Sequence, residues 1–110
     1  MNNKVSTTDI SMELISYSGE SKATALKAIK FAKKGDFVEA NKLIASAKEM
    51  ILNVHRIHAE IIQTEASGKE YDINTLFIHA QDHFMSALTV NELAETIVIL
   101  FERLNEGGKK

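Results

Sequence analysis

At 110 residues the chain can build one domain around one hydrophobic core. Apolar residues make up 45% and charged residues 25%, an ordinary balance for a soluble protein, and the net charge of -2 leaves no basic footprint for nucleic acid. No cysteine is present, which excludes disulfides, thiolate catalysis and thiolate metal sites.

The N-terminus, Met1-Asn2-Asn3-Lys4-Val5-Ser6, is polar and lacks the apolar core of a signal peptide. No uncharged apolar run approaches the roughly 20 residues that span a bilayer. The expected location is therefore the cytoplasm. Residues 1–6 read as a frayed arm. Ser6, Thr7 or Thr8 is placed to cap a first helix, with Asp9 in its first turn. Ile10, Leu14, Tyr17, Ala25, Ile29 and Ala32 then follow helical spacing. Gly19 interrupts them and is expected to let another backbone approach, with a local break as the alternative. Lys33-Lys34 followed by Gly35 suits a helix end.

Asp36 with Glu39 three residues on resembles a capping box and opens a second helix. Its seam runs Phe37, Ala40, Ile44, Ala47, Ile51, Val54, His58, Ile61, Glu65. Gly68 ends it, and Asp72 or Asn74 caps a third. The predicted helices cover about 7–34, 36–67 and 73–105, with flexible ends at 1–6 and 106–110. Tight connections and the absence of proline make this an all-α, antiparallel three-helix bundle in one domain. Lys22, Lys27, Lys30, Lys42, Lys48 and Arg56 read as solvated outer faces.

The third helix carries two seams. Ile73, Leu76, Ala80, His83, Ala87, Val90, Ala94, Ile97, Phe101 and Leu104 alternate steps of three and four, the pattern of a helix packed on other helices. Thr75, Ile78, Asp82, Met85, Thr89, Leu93, Thr96 and Leu100 lie on roughly the opposite side. That side should face water in a lone bundle, yet from Ile73 to Asn91 the only formal charge is Asp82. Three helices are too few to cover it, so copies of the same chain are expected to do so.

His79, Asp82 and His83 form H-x-x-D-H on this helix. At 100° per residue His79 lies about 60° from Asp82 and about 40° from His83, at the border between the seams. Three chemistries fit. A neutral imidazole can take a phosphoryl group on a free nitrogen, with His83 or Ser86 supporting the phosphate oxygens. Two histidines at i and i+4 beside a carboxylate can bind zinc, close to an inverted zinc-protease motif that has Glu in place of Asp82. Or His83 is a hydrogen-bonded core residue in a structural adaptor. If the outer seam meets its own copies, several Asp82 carboxylates converge, and a divalent cation would relieve their repulsion. His55 and His58, one turn apart on the second helix, could bind metal but have no completing ligand. His58 is expected to donate a hydrogen bond to Glu65 or to the third helix.

His79-Ala80-Gln81-Asp82-His83-Phe84-Met85-Ser86 resembles the H-(A/G)-Q-D-H-L-M-T signature of the lactose/cellobiose-type (N,N'-diacetylchitobiose-type) IIA components of the bacterial sugar phosphotransferase system. Tyr17-Ser18-Gly19, Gly35-Asp36-Phe37 with Ala40, His55, and Glu65-Ala66-Ser67-Gly68 resemble the family in order and spacing. The resemblance implies a homotrimer of three-helix bundles and a phosphotransferase component with a phosphohistidine intermediate at His79. It implies phospho-HPr as donor, a cysteine of a IIB component as acceptor, and a membrane IIC transporter for β-linked disaccharides beyond it. It places His83 in the phosphate groove. It places Asp82 at the trimer axis with a divalent cation, Mg2+, one per trimer. Phe84 and Ser86 stand where Leu and Thr are commoner, and His58 where a Gln is expected.

Overall fold

In a computed structural model, residues 3–107 are described and form three long helices, α1 Thr8–Lys33, α2 Phe37–Ala66 and α3 Thr75–Gly107, in a rod 70 × 20 × 17 Å. The order is up, down, up, so α1 and α3 run parallel with α2 antiparallel to both.

The turns follow from the punctuation residues. After α1 the Gly35 N–H donates to Ala32 O and the Asp36 N–H to Phe31 O, with Gly35 at φ 86°. That left-handed conformation suits a residue without a side chain. Asp36 caps α2 by accepting the Glu39 N–H at 3.2 Å. Asn74, one of the two expected caps, accepts the Phe77 N–H at 2.9 Å and opens α3.

The N-terminal segment is not the frayed arm expected from its polarity. Val5 pairs with Tyr71: its N–H donates to Glu70 O at 2.7 Å, and its carbonyl accepts the Asp72 N–H at 2.9 Å. Thr7 precedes α1, but its side chain does not cap it. Buried, it donates to Asp72 O at 2.7 Å instead. The arm is held because the α2–α3 loop offers it backbone partners far away in sequence. At the other end Glu106 and Gly107, expected in a flexible tail, belong to α3. The rest of the expected flexible ends, 1–2 and 108–110, lies outside the described residues.

The core is built in two blocks. Leu14, Ile51, Val54, Phe77 and Phe84 fill one, and the small side chains Ala25, Ala28, Ala40, Ala47 and Ala94 dominate the other. Between them a buried polar chain ties all three helices together. Asn91 Nδ2 donates to Ser21 Oγ at 2.9 Å, and Ser21 Oγ donates to Ala47 O at 2.8 Å. Asn91 Nδ2 also donates to Ala87 O at 2.9 Å within α3. The Asn91 amide nitrogen and the Ser21 hydroxyl are both paired, so the network fixes the register of the helices at little cost. Asn91→Ala strips the donor from buried Ser21 and should cost about 1–3 kcal/mol, read as a lower urea midpoint with an unchanged slope.

α3 buries a different stripe from the one expected. Phe77, Ala80, Phe84, Ala87, Asn91, Ala94 and Val98 face the core. The expected Ala80, Ala87 and Ala94 are among them. Leu76, His83, Val90, Ile97 and Phe101 are only half-buried, and Ile73 and Leu104 are exposed. The core face is rotated by roughly 60° from the predicted seam. The opposite stripe lies where the spacing placed it. Thr75, Ile78, Asp82, Met85, Thr89, Leu93, Thr96 and Leu100 are all exposed, with Ile78 at 60% and Leu93 at 57%. One stretch of α3 is apolar and long enough to cross a membrane by length and composition, although charges such as Asp82 and Glu92 keep any uncharged run in it short, as expected. Only 28% of that stretch is buried in the chain. A stripe this apolar and this open marks a contact surface.

Candidate functional site

α3 carries His79, His83 and Ser86 on one flank, between the core face and the open stripe. Spacings of four and three residues stack them along the helix. His79 is exposed and His83 half-buried. Their Nε2 atoms lie 3.0 Å apart, with the rings edge to face at 80° and 4.5 Å between centroids. One proton serves this contact: one Nε2 donates and the other accepts. Which ring donates is set by its tautomer, and the accepting Nε2 is turned to its neighbour.

His83 does not sit in the core as the structural reading required. The next residue, Phe84, takes that place at 2% exposure. Its ring lies 4.9 Å from His58 and 6.2 Å from His55 across the α2–α3 contact. This gives both α2 histidines a packing role against the helix that bears the site. His58 does not make the expected hydrogen bond through Nδ1, which is buried without a partner, because its ring lies against Phe84 instead. The larger ring at position 84 fills the space between α2 and α3.

Ser86 is half-buried and accepts a hydrogen bond from Lys22 Nζ of α1 at 3.1 Å. A serine hydroxyl that accepts still has its proton to donate. Lys22 is thus not the purely solvated surface charge expected of it. It brings a cation to the same flank, a contact between residues 64 apart in sequence. The bond ties α1 to α3. A Cβ at Gly19 would meet no heavy atom within 4 Å, so within one chain Gly19 does not serve the close backbone approach expected of it.

Asp82 is exposed on the open stripe, turned away from the histidine pair. Among the described residues no three His, Asp or Glu side chains converge, so H-x-x-D-H does not assemble a zinc site within the chain. The helix turns Asp82 toward the neighbouring face while the two rings meet. The Lys22 contact, the Phe84 anchor and the Asn91 network escaped sequence reasoning. Each depends on a partner in another helix.

Residues 9–102 match the family described as the lactose/cellobiose-specific IIA subunit of the PTS system. The lichenan-specific phosphotransferase enzyme IIA component of Bacillus subtilis is 38% identical over 97 residues, 88% of each chain. Among solved structures, the cellobiose-specific enzyme IIA from Bacillus anthracis superposes with a TM-score of 0.86 at 42% identity, covering 89% of this chain and 90% of that one. The IIA(chitobiose) component of Escherichia coli, solved in complex with HPr, superposes with a TM-score of 0.75 at 30% identity, covering 88% of this chain and 94% of that one.

Proposed function

The chain belongs to the lactose/cellobiose-specific IIA family of the phosphotransferase system, and we propose that it works there as a phosphoryl carrier with His79 as the group that is phosphorylated. The observation that carries this is the exposed His79 imidazole with its Nε2 set 3.0 Å from the Nε2 of His83. For His79 to be the nucleophile, His83 must hold the shared proton and donate it. The His79 Nε2 lone pair then attacks the phosphorus of a phosphohistidine on HPr, the protein with which the chitobiose relative forms its solved complex. A bond from phosphorus to His79 Nε2 forms as the bond to the donor imidazole breaks. His83 N–H, released from its partner, turns to a phosphoryl oxygen. Ser86 and Lys22 stand one turn further along as a second donor and a positive charge. The reverse exchange passes the group to a cysteine thiolate of a IIB component. A sulfur–phosphorus bond forms and the nitrogen–phosphorus bond breaks. Through IIB the group serves a membrane IIC transporter for a β-linked disaccharide, with this component in the cytoplasm.

The open stripe of α3 supports a homotrimer in which three such stripes face one another. Asp82 would then be brought to the shared axis. One carboxylate per chain, exposed and with no ion-pair partner among the described residues, fits a hard divalent cation such as Mg2+ that takes oxygen ligands from several copies and water. Such an ion neutralises the converging carboxylates and takes no part in the transfer. The hydrolase reading of the motif needs a third ligand near the two rings, and among the described residues none is brought there.

The test is incubation with phosphoenolpyruvate and the general phosphotransferase proteins. One acid-labile, base-stable phosphate per chain is the expected result. No incorporation by the folded chain would refute the carrier role.

A further inference from the structure

We propose that the His79–His83 pair is also a two-point site for a transition-metal ion of square-planar or octahedral preference, Cu2+ or Ni2+, and that a bound ion blocks the phosphoryl acceptor. The second half rests on the carrier reading above; the first does not. Two imidazole nitrogens at i and i+4 already point at one another, 3.0 Å apart. Bonded to one ion at about 2.0–2.1 Å each, they subtend about 95°. That is close to the cis angle of square-planar and octahedral ions, and these ions with nitrogen ligands stand high in the divalent affinity series. A tetrahedral zinc site would want the nitrogens about 3.3 Å apart.

Little must move for the ion to enter. His79 is exposed and His83 half-buried, so water completes the coordination. The ring that donates in the free protein gives up its Nε2 proton to water and takes one on Nδ1, so both rings stay neutral and both present an Nε2 lone pair. Asp82 does not contribute, being on the neighbouring stripe. The Lys22 ammonium at Ser86 adds a like charge nearby and keeps the site from being a tight one. The site differs from a hard-cation site at Asp82 in ligand atoms, in location and in the ion it favours.

The ion and the phosphoryl group want the same Nε2 of His79, so each must lower the affinity for the other. Untagged full-length protein titrated with NiCl2 in a calorimeter should bind one ion per chain. His83→Gln should weaken this by roughly tenfold or more, with helix content unchanged by circular dichroism. His55→Gln should leave it as in the unaltered chain. Equal Ni2+ affinity in His83→Gln and the unaltered chain, or loss of binding in His55→Gln, would overturn the site. Phosphorylated protein should refuse Ni2+. Undiminished Ni2+ binding by fully phosphorylated protein, with His83→Gln still weakened, would keep the site and overturn the block together with the placement of phosphate on His79.

Discussion

A His79→Gln chain should take up no phosphate from phospho-HPr, with the transfer rate reduced by about 10⁴-fold or more, while its helix content and thermal midpoint stay as they were. Glutamine keeps much of the length and polarity of the ring but has no nucleophilic nitrogen, so the step loses its covalent intermediate and not merely its speed. The fold should not notice, because His79 is exposed and its ring contact is to His83. His83→Gln should behave differently. It exchanges the imidazole N–H for an amide N–H on a more flexible side chain, a less well placed donor to Nε2 and to the phosphoryl oxygens, and leaves the acceptor, so a slowing of about 10- to 100-fold is expected. Rates measured by rapid quench with labelled phospho-HPr separate the two. Equal and complete loss in both variants would make the pair a single unit; normal transfer in His79→Gln would end the assignment.

If the open stripes meet in a trimer as proposed, Met85→Glu combined with Leu93→Glu should leave a monomer, seen in sedimentation equilibrium as the mass of one chain against three for the unaltered protein. In the single chain Met85 is 53% and Leu93 57% exposed, on the same stripe as Ile78 and Leu100. Burying side chains of this size stabilises by about 1.5–3 kcal/mol each, and in a symmetric assembly every substitution is counted once per copy. Glutamates brought face to face there add desolvation and like-charge repulsion beside Asp82. The bundle itself should survive, because both positions point away from the core seam of Phe84, Ala87 and Ala94. A variant that keeps the mass of the unaltered protein would show that the stripe faces solvent in the working molecule, and the trimer argument would fall with it.

The three helices and their breaks were legible because they rest on local chemistry. Gly35 with Asp36, and Gly68, mark chain reversals that any nearby residue context would respect. The outer stripe from Thr75 to Leu100 was legible for a related reason: a surface with one charge in its first half stands out by what it lacks. The phase of the core face was not. α3 is apolar or neutral nearly all the way round, so stripes starting from Leu76 or from Phe77 satisfy the same periodicity. Which one is buried is decided by the fit of Phe84 against His55 and His58 and by Asn91 finding Ser21. A buried asparagine also breaks the rule that polar means outside, and spacing alone gives no hint of it. At the site, the two histidines were readable from their step of four. The Lys22 ammonium and the Val5–Tyr71 pairing were not, since each joins residues more than 60 apart in sequence.

Nitrogen-15-labelled chain, phosphorylated by phospho-HPr and followed by imidazole nitrogen and phosphorus NMR, tests the central claim most directly. The claim requires a phosphorus coupling on Nε2 of His79, with both nitrogens of His83 free of phosphorus. A coupling on His83, or on Nδ1 of either ring, would contradict it.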